Sequence, residues 1–144
     1  MDLAFELHDL VRTLDKWAER MLRPEGLSYN KYVALVIVSE HPGMTGRDLA
    51  RALGVTEAAG SGIVRSLLDT GLMEDQAGTG SGNVRRLNIT DIGAVLLERC
   101  SAALGSSLDD NARAIGLDPQ ELASTIRGLH DEVRTVRNAP PTSR

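Results

Sequence analysis

Cysteine and aromatic residues are what this chain has least of. Cys100 is the only cysteine in 144 residues, so no intrachain disulfide and no multi-cysteine metal site can form. One tryptophan, two tyrosines and one phenylalanine leave the core to Leu, Val, Ile and Ala, which favours helices. His8, His41 and His130 are scattered without the spacing of a ligand pair, so neither a metal nor a cofactor is expected. No window approaches the ~20 uninterrupted apolar residues of a membrane span, and Asp2, Glu6 and Asp9 stand where a signal peptide carries positive charge. The expectation is a cytoplasmic protein without a membrane partner. The signatures of catalysis are missing too: there is no nucleophile elbow, no phosphate-binding glycine loop leading to a Lys-Ser or Lys-Thr pair, and no paired metal ligands. The chain reads as a non-enzyme. Its net charge of −4 argues against nonspecific coating of nucleic acid, which depends on neutralising many phosphates. A local basic patch stays compatible with that charge.

What is present is a folding pattern. A 42% hydrophobic share with 25% charged residues fits one domain over 1–137 and a disordered tail over 138–144, where two prolines interrupt a segment without apolar period. Leu3, Leu7, Leu10, Leu14, Trp17 and Met21 are spaced by four and three, the seam of a heptad on one helix, ended by Pro24 and Gly26. Ser28 caps a second helix, Tyr29 to about Glu40, apolar nearly all round and therefore central. Thr45 caps a short helix closed by Gly54, and Thr56 at once caps the next, running to about Thr70. So short a join makes a helix-turn-helix. The glycine-rich stretch 76–83 reads as a loop between two short strands, with Leu87 and Ile89 alternating with Arg86 and Asn88 on the return strand. A hairpin after a helix-turn-helix is a wing. Thr90-Asp91 opens a long helix expected to reach Ile115, and Asp118-Pro119-Gln120-Glu121 opens the last, striped by Leu122, Ile126, Leu129, Val133 and Val136.

The fold class is thus mainly α with a small β-wing, a winged helix-turn-helix over 45–90 between scaffold helices over 1–40 and 91–137. The order of elements resembles the MarR family of bacterial transcription regulators. The matching residues are Leu27-Ser28, Gly43-Met44-Thr45 with Asp48-Leu49-Ala50, Leu53-Gly54-Val55, Leu67 with Gly71-Leu72-Met73, and Ile89-Thr90 with Gly93. The resemblance implies a homodimer interlocked through terminal helices, with Leu3, Leu7, Leu10, Leu14, Leu122, Ile126, Leu129 and Val133 at the dimer contact. It also implies recognition helices set in successive major grooves of a palindromic double-stranded DNA operator, and repression relieved by a small aromatic or phenolic effector. Two departures stand out. The recognition helix opens with Glu57, Ala58, Ala59, Gly60, Ser61 and Gly62 where the family often has basic or hydroxyl residues. The family's Asp-x-Arg wing signature falls on Ser81 and Asn83, and a common arginine position is Asp75.

Between Thr45 and Thr90, Arg47, Arg51, Arg65, Arg85 and Arg86 are matched by Asp48, Glu57, Asp69, Glu74 and Asp75, so the segment is neutral. Its electrostatic footprint is thin, which predicts modest, strongly salt-sensitive DNA binding. The candidate DNA-contacting residues are Thr45, Arg47, Thr56, Ala58, Ala59, Ser61, Arg65, Arg85 and Arg86. Arg85 and Arg86 are placed near the wing tip, for backbone or minor-groove contact or as a merely solvated strand. Arg65 either reaches DNA or pairs with Asp69 one turn on. Small residues at the helix start permit close approach to thymine methyls, while Gly60 and Gly62 weaken the helix. Arg12, Trp17, Tyr29 and Tyr32 could supply a cation and aromatic walls for an effector, although Trp17 also fits the seam as core. Cys100 is either an inert small hydrophobe or a redox switch. Against a DNA-reading regulator stands a second reading: a winged-helix dimer with weak or lost DNA specificity that acts through protein contacts or as a ligand-binding antagonist.

Overall fold

A computed structural model describes residues 1–77, 84–105 and 107–138. The chain divides into two compact units, Met1–Leu104 and Gly105–Arg144. The first holds helices α1 (Leu3–Leu22), α2 (Tyr29–Glu40), α3 (Gly46–Leu53), α4 (Glu57–Asp69) and α5 (Asp91–Leu104), with strands β1 (Met73–Asp75) and β2 (Leu87–Ile89) between the last two helices. The second holds α6 (Ser107–Ala114) and α7 (Pro119–Asn138). No helix among the described residues is long and apolar enough to cross a membrane.

The helix starts follow from capping. The Asp2 carboxylate accepts from the Ala4 N–H, and the hydroxyls of Ser28, Thr45 and Thr56 accept from the N–H groups of Lys31, Asp48 and Ala59. Each such bond satisfies a donor that the helix itself leaves unpaired, worth ~1 kcal/mol. Asp118 does this twice, taking the Gln120 and Glu121 N–H groups at 2.9 Å each. After α1 a single 3-10 turn, Arg23–Glu25, leads into left-handed Gly26.

The helix expected to run from Asp91 to Ile115 is instead two. Gly105 takes a left-handed φ of 54°, which ends α5 at Leu104, and α6 starts afresh at Ser107. Glycine adopts that conformation at little steric cost. The tail was expected from Asn138; that residue still belongs to α7, and 139–144 lie outside the described residues.

In the first unit α2 is the hub, with Ala34, Leu35 and Val38 fully buried. Around it Leu22, Leu27, Leu49, Val64, Leu67, Leu72, Met73, Leu87, Leu96 and Cys100 complete one core. The wing strands pair antiparallel in the register Met73↔Ile89, Glu74↔Asn88, Asp75↔Leu87. β2 is held on its other side as well: the Gly43 N–H donates to Leu87 O at 2.8 Å, and the Leu87 N–H to Met44 O at 2.9 Å. The wing base is therefore tied to the segment that leads into α3.

α3 and α4 cross so closely that a Cβ at Gly60 would lie 2.5 Å from the Cβ of Ala50. Gly60 is buried, and the crossing requires glycine there. Sequence alone marks Gly60 and Gly62 as equal weaknesses, yet at Gly62 an added Cβ meets nothing within 4 Å. α4 is continuous through both.

Candidate nucleic-acid interface

The exposed face of α4 forms one wall of a cleft of about 450 Å³, lined by Thr45, Gly46, Arg47, Glu57, Ser61, Val64, Arg65, Val84 and Arg85. Glu57, Ser61 and Arg65 recur every four residues and so share one side of the helix. The start of α3, with Thr45, Gly46 and Arg47, and Val84 and Arg85, entering β2, supply the rest of the lining.

Five of the nine expected DNA-contacting residues, Thr45, Arg47, Ser61, Arg65 and Arg85, meet in this cleft. Thr56, Ala58 and Ala59 are exposed on the first turn of α4 but line other surface. Arg86 departs from its expected place near the wing tip, because it directly precedes β2 at the wing base. Its N–H donates to Asp75 Oδ1 at 3.0 Å and its guanidinium lies 3.5 Å from the Gly43 carbonyl oxygen. Ser81 and Asn83, where the family's wing signature falls, lie outside the described residues.

Two carboxylates that looked like departures have structural roles. Asp75 Oδ1 accepts from the N–H groups of both Arg86 and Ala77, closing the base of the hairpin. Those two bonds, the Arg86 one first, hold its carboxyl below the usual range, with the Arg85 charge helping. Glu57 Oε1 accepts from Arg47 Nε at 2.8 Å, joining the first turns of α3 and α4. The hydrogen bond from Arg47 and then its charge lower the Glu57 pKa, and the same pairing raises that of Arg47. Glu57 and Val84 were not among the expected site residues. The signal for Glu57 was the four-residue step to Ser61 and Arg65.

Arg65 forms no ion pair with Asp69 or any other acid among the described residues, whereas Arg51 sits 3.9 Å from Asp48. Arg65 and Arg85 thus form no ion pair among the described residues, and Arg47 is half-neutralised by Glu57.

The expected effector residues are brought together only in part. Tyr29 and Tyr32 have ring centroids 6.3 Å apart, and the Tyr32 hydroxyl lies 3.1 Å from Ser101 Oγ. Arg12 is exposed on α1 and Trp17 partly so, and neither touches this pair in any described contact. Cys100 is fully buried, and burial pushes its thiol pKa up, Glu25 adding to the effect and Arg99 opposing it. A thiol so held is a poor thiolate, as suits an inert core side chain.

The expected dimer residues divide along α1. Ala18 and Leu22 at its C-terminal end are buried in the core, Leu7 and Leu14 are half-buried, and Leu3 and Leu10 are exposed. On α7, Leu122, Ile126, Leu129 and Val133 are all exposed.

Comparison with known proteins shows what the chain is similar to. Residues 25–80 match the model of the MarR family. The HTH-type transcriptional regulator PetP of Rhodobacter capsulatus is 31% identical over 105 residues, 73% of this chain and 62% of that one. The HTH-type transcriptional repressor Rv2887 of Mycobacterium tuberculosis is 29% identical over 102 residues, 71% of this chain and 73% of that one. The crystal structure of Rv2887 with salicylic acid superposes with a TM-score of 0.66 at 27% identity, covering 91% of this chain and 96% of that one. Rv2887 has also been solved in complex with DNA, with a TM-score of 0.69 at 23% identity over 91% of this chain and 97% of that one.

Proposed function

The chain belongs to the MarR family, and from that premise we propose that it is a sequence-specific DNA-binding transcription regulator, a ligand-responsive repressor that acts as a homodimer on a palindromic operator. The observation that carries this reading is the cleft itself. A recognition helix presents one exposed side bearing Ser61 and Arg65, in a cleft shared with the start of α3 and with Arg85 of the wing, which is free of ion pairs among the described residues. Phosphates draw on Arg65 and Arg85, and the N-terminal turn of α4 faces base edges in the major groove. With so few cations, affinity is modest and falls with salt.

The homodimer is supported by apolar side chains left uncovered on α1 and α7, since a contiguous exposed apolar stripe marks an interaction surface. A small aromatic acid as effector is supported by the solved complex of the relative Rv2887 with salicylic acid, and Arg12, Trp17, Tyr29 and Tyr32 are the residues proposed to receive it. The reading is non-enzymatic and places the protein in the cytoplasm with its DNA.

The test is binding to a duplex carrying the region upstream of its own gene against a scrambled duplex, at two salt concentrations, for wild type and for Arg65→Ala with Arg85→Ala. Preference for the upstream duplex that weakens with salt and with the double substitution is expected. Equal binding to both duplexes, with and without a phenolic acid, overturns it in favour of an antagonist that works through ligand or protein contacts.

A further inference from the structure

The least expected group in the cleft is the Glu57 carboxylate. It stands at the first helical position of α4, on the side shared with Ser61 and Arg65, and its side chain is 69% exposed. A carboxylate on a DNA-facing surface is repelled by every phosphate, so its presence there needs a partner that donates. Arg47 is one donor, through Nε at 2.8 Å, but an ion pair this exposed adds little to stability, and bracing alone leaves Glu57 unexplained. The pair instead leaves half of each partner available. Beyond the contact to Nε, neither the Arg47 Nη groups nor Glu57 Oε2 has a hydrogen bond among the described residues.

Resting on the DNA-reading function proposed above, we infer that Glu57 is a specificity-determining residue that reads a cytosine in each operator half-site, with Arg47 holding the carboxylate in place and offsetting its charge against the backbone. An ionised carboxylate only accepts hydrogen bonds. In the major groove the exocyclic donors are cytosine N4 and adenine N6, and adenine sets the acceptor N7 beside its donor, which repels a carboxylate. Cytosine is the base whose edge a carboxylate suits. Guanine and thymine offer acceptors there and are rejected. The N-terminal residues of a recognition helix are the ones that meet base edges, and Arg47 keeps Glu57 ionised while its Nη groups stay free for a phosphate. Specificity then comes partly from repulsion of wrong bases, which suits a reader with few cations.

Selection from a randomised duplex pool by wild type, Glu57→Gln, Glu57→Ala and Arg47→Ala, each first checked for native helicity by circular dichroism, tests this. Wild type is expected to favour cytosine at one position per half-site by about tenfold. Glu57→Gln shifts that position toward adenine, whose N6 and N7 a carboxamide matches, and Glu57→Ala flattens it to near parity. Arg47→Ala keeps the cytosine preference with weaker overall binding. If Glu57→Ala and Glu57→Gln select the wild-type sequence unchanged, Glu57 only braces Arg47 and the inference fails while the DNA-reading function stands. If wild type enriches no sequence, both fail.

Discussion

The recognition helix α4 and the last helix α7 carry apolar stripes of the same period and end up in opposite surroundings. On α4, Val64 and Leu67 are buried and Ile63 and Leu68 pack against the core. On α7, Leu122, Ile126, Leu129, Val133 and Val136 are all exposed, and no residue of that helix is buried. Periodicity states which side of a helix is apolar; it does not say whether the cover comes from the same chain or another. The α4 stripe serves the protomer, and the proposed homodimer gives the α7 stripe its cover.

Substitution at matched positions separates the two cases. Leu67→Ala opens a cavity in the protomer core and is expected to lower stability by about 3 kcal/mol, seen as a thermal midpoint that falls equally at all protein concentrations. Leu129→Asp, with Ile126→Asp, is expected to leave the helical circular dichroism signal nearly intact while halving the mass measured by sedimentation. Leu10→Asp with Leu14→Asp on α1 should act in the same direction. An unchanged mass in both double variants removes α1 and α7 from the dimer interface.

The next effect belongs to the crossing of α3 and α4. Gly60→Ala forces a Cβ against that of Ala50 and is expected to destabilise by about 1–3 kcal/mol. Ala50→Gly in the same chain removes the opposing methyl and restores much of the loss. A double-mutant cycle in thermal unfolding measures that coupling; simple additivity would mean that the two helices part rather than repack.

Much of this was legible in the sequence because caps and stops are local chemistry. Ser28, Thr45 and Thr56 each cap the helix assigned to them, and the α2 core was visible as an unbroken apolar run. The misjudged stretches have physical reasons. The stop at Gly105 was hidden because the apolar pattern continues beyond it to Ile115, and only the left-handed φ of that glycine ends the helix. Gly60 and Gly62 look alike until the crossing partner is known. In the candidate site, Arg65 and Arg85 could be picked out by charge alone, but the Arg47–Glu57 pair spans two helices and no spacing rule links residues across a turn. Asp75 read as a lost arginine because its function, gathering two N–H groups at the wing base, is local to the hairpin and independent of DNA.

That function gives a smaller effect with a definite sign. Since the folded chain lowers the Asp75 pKa, the contribution of its hydrogen bonds is complete above the unfolded-state pKa and fades as pH falls through the lowered folded value. Asp75→Asn should flatten the acid limb of stability against pH, measured by denaturant titration between neutral pH and the carboxylate range, because it lowers stability near pH 7 while differing little from wild type once Asp75 is protonated. An acid limb identical to wild type would show that the wing base does not depend on the charge.

The smallest expected change returns to the two helices. Gly62 in α4 and Gly128 in α7 are both helical glycines at which an added Cβ meets nothing within 4 Å. Alanine at either site removes backbone freedom from the unfolded chain and should stabilise by up to ~1 kcal/mol. Equal gains at the two sites, read from the shift in denaturant midpoint, are expected if both helices are fully formed in the free protein. A smaller gain at Gly62 would mean that α4 is partly frayed before DNA arrives. Gly62→Ala should then tighten operator binding, because the variant no longer has to order the recognition helix on contact. With α4 already formed, the same substitution stabilises the fold and leaves affinity where it was.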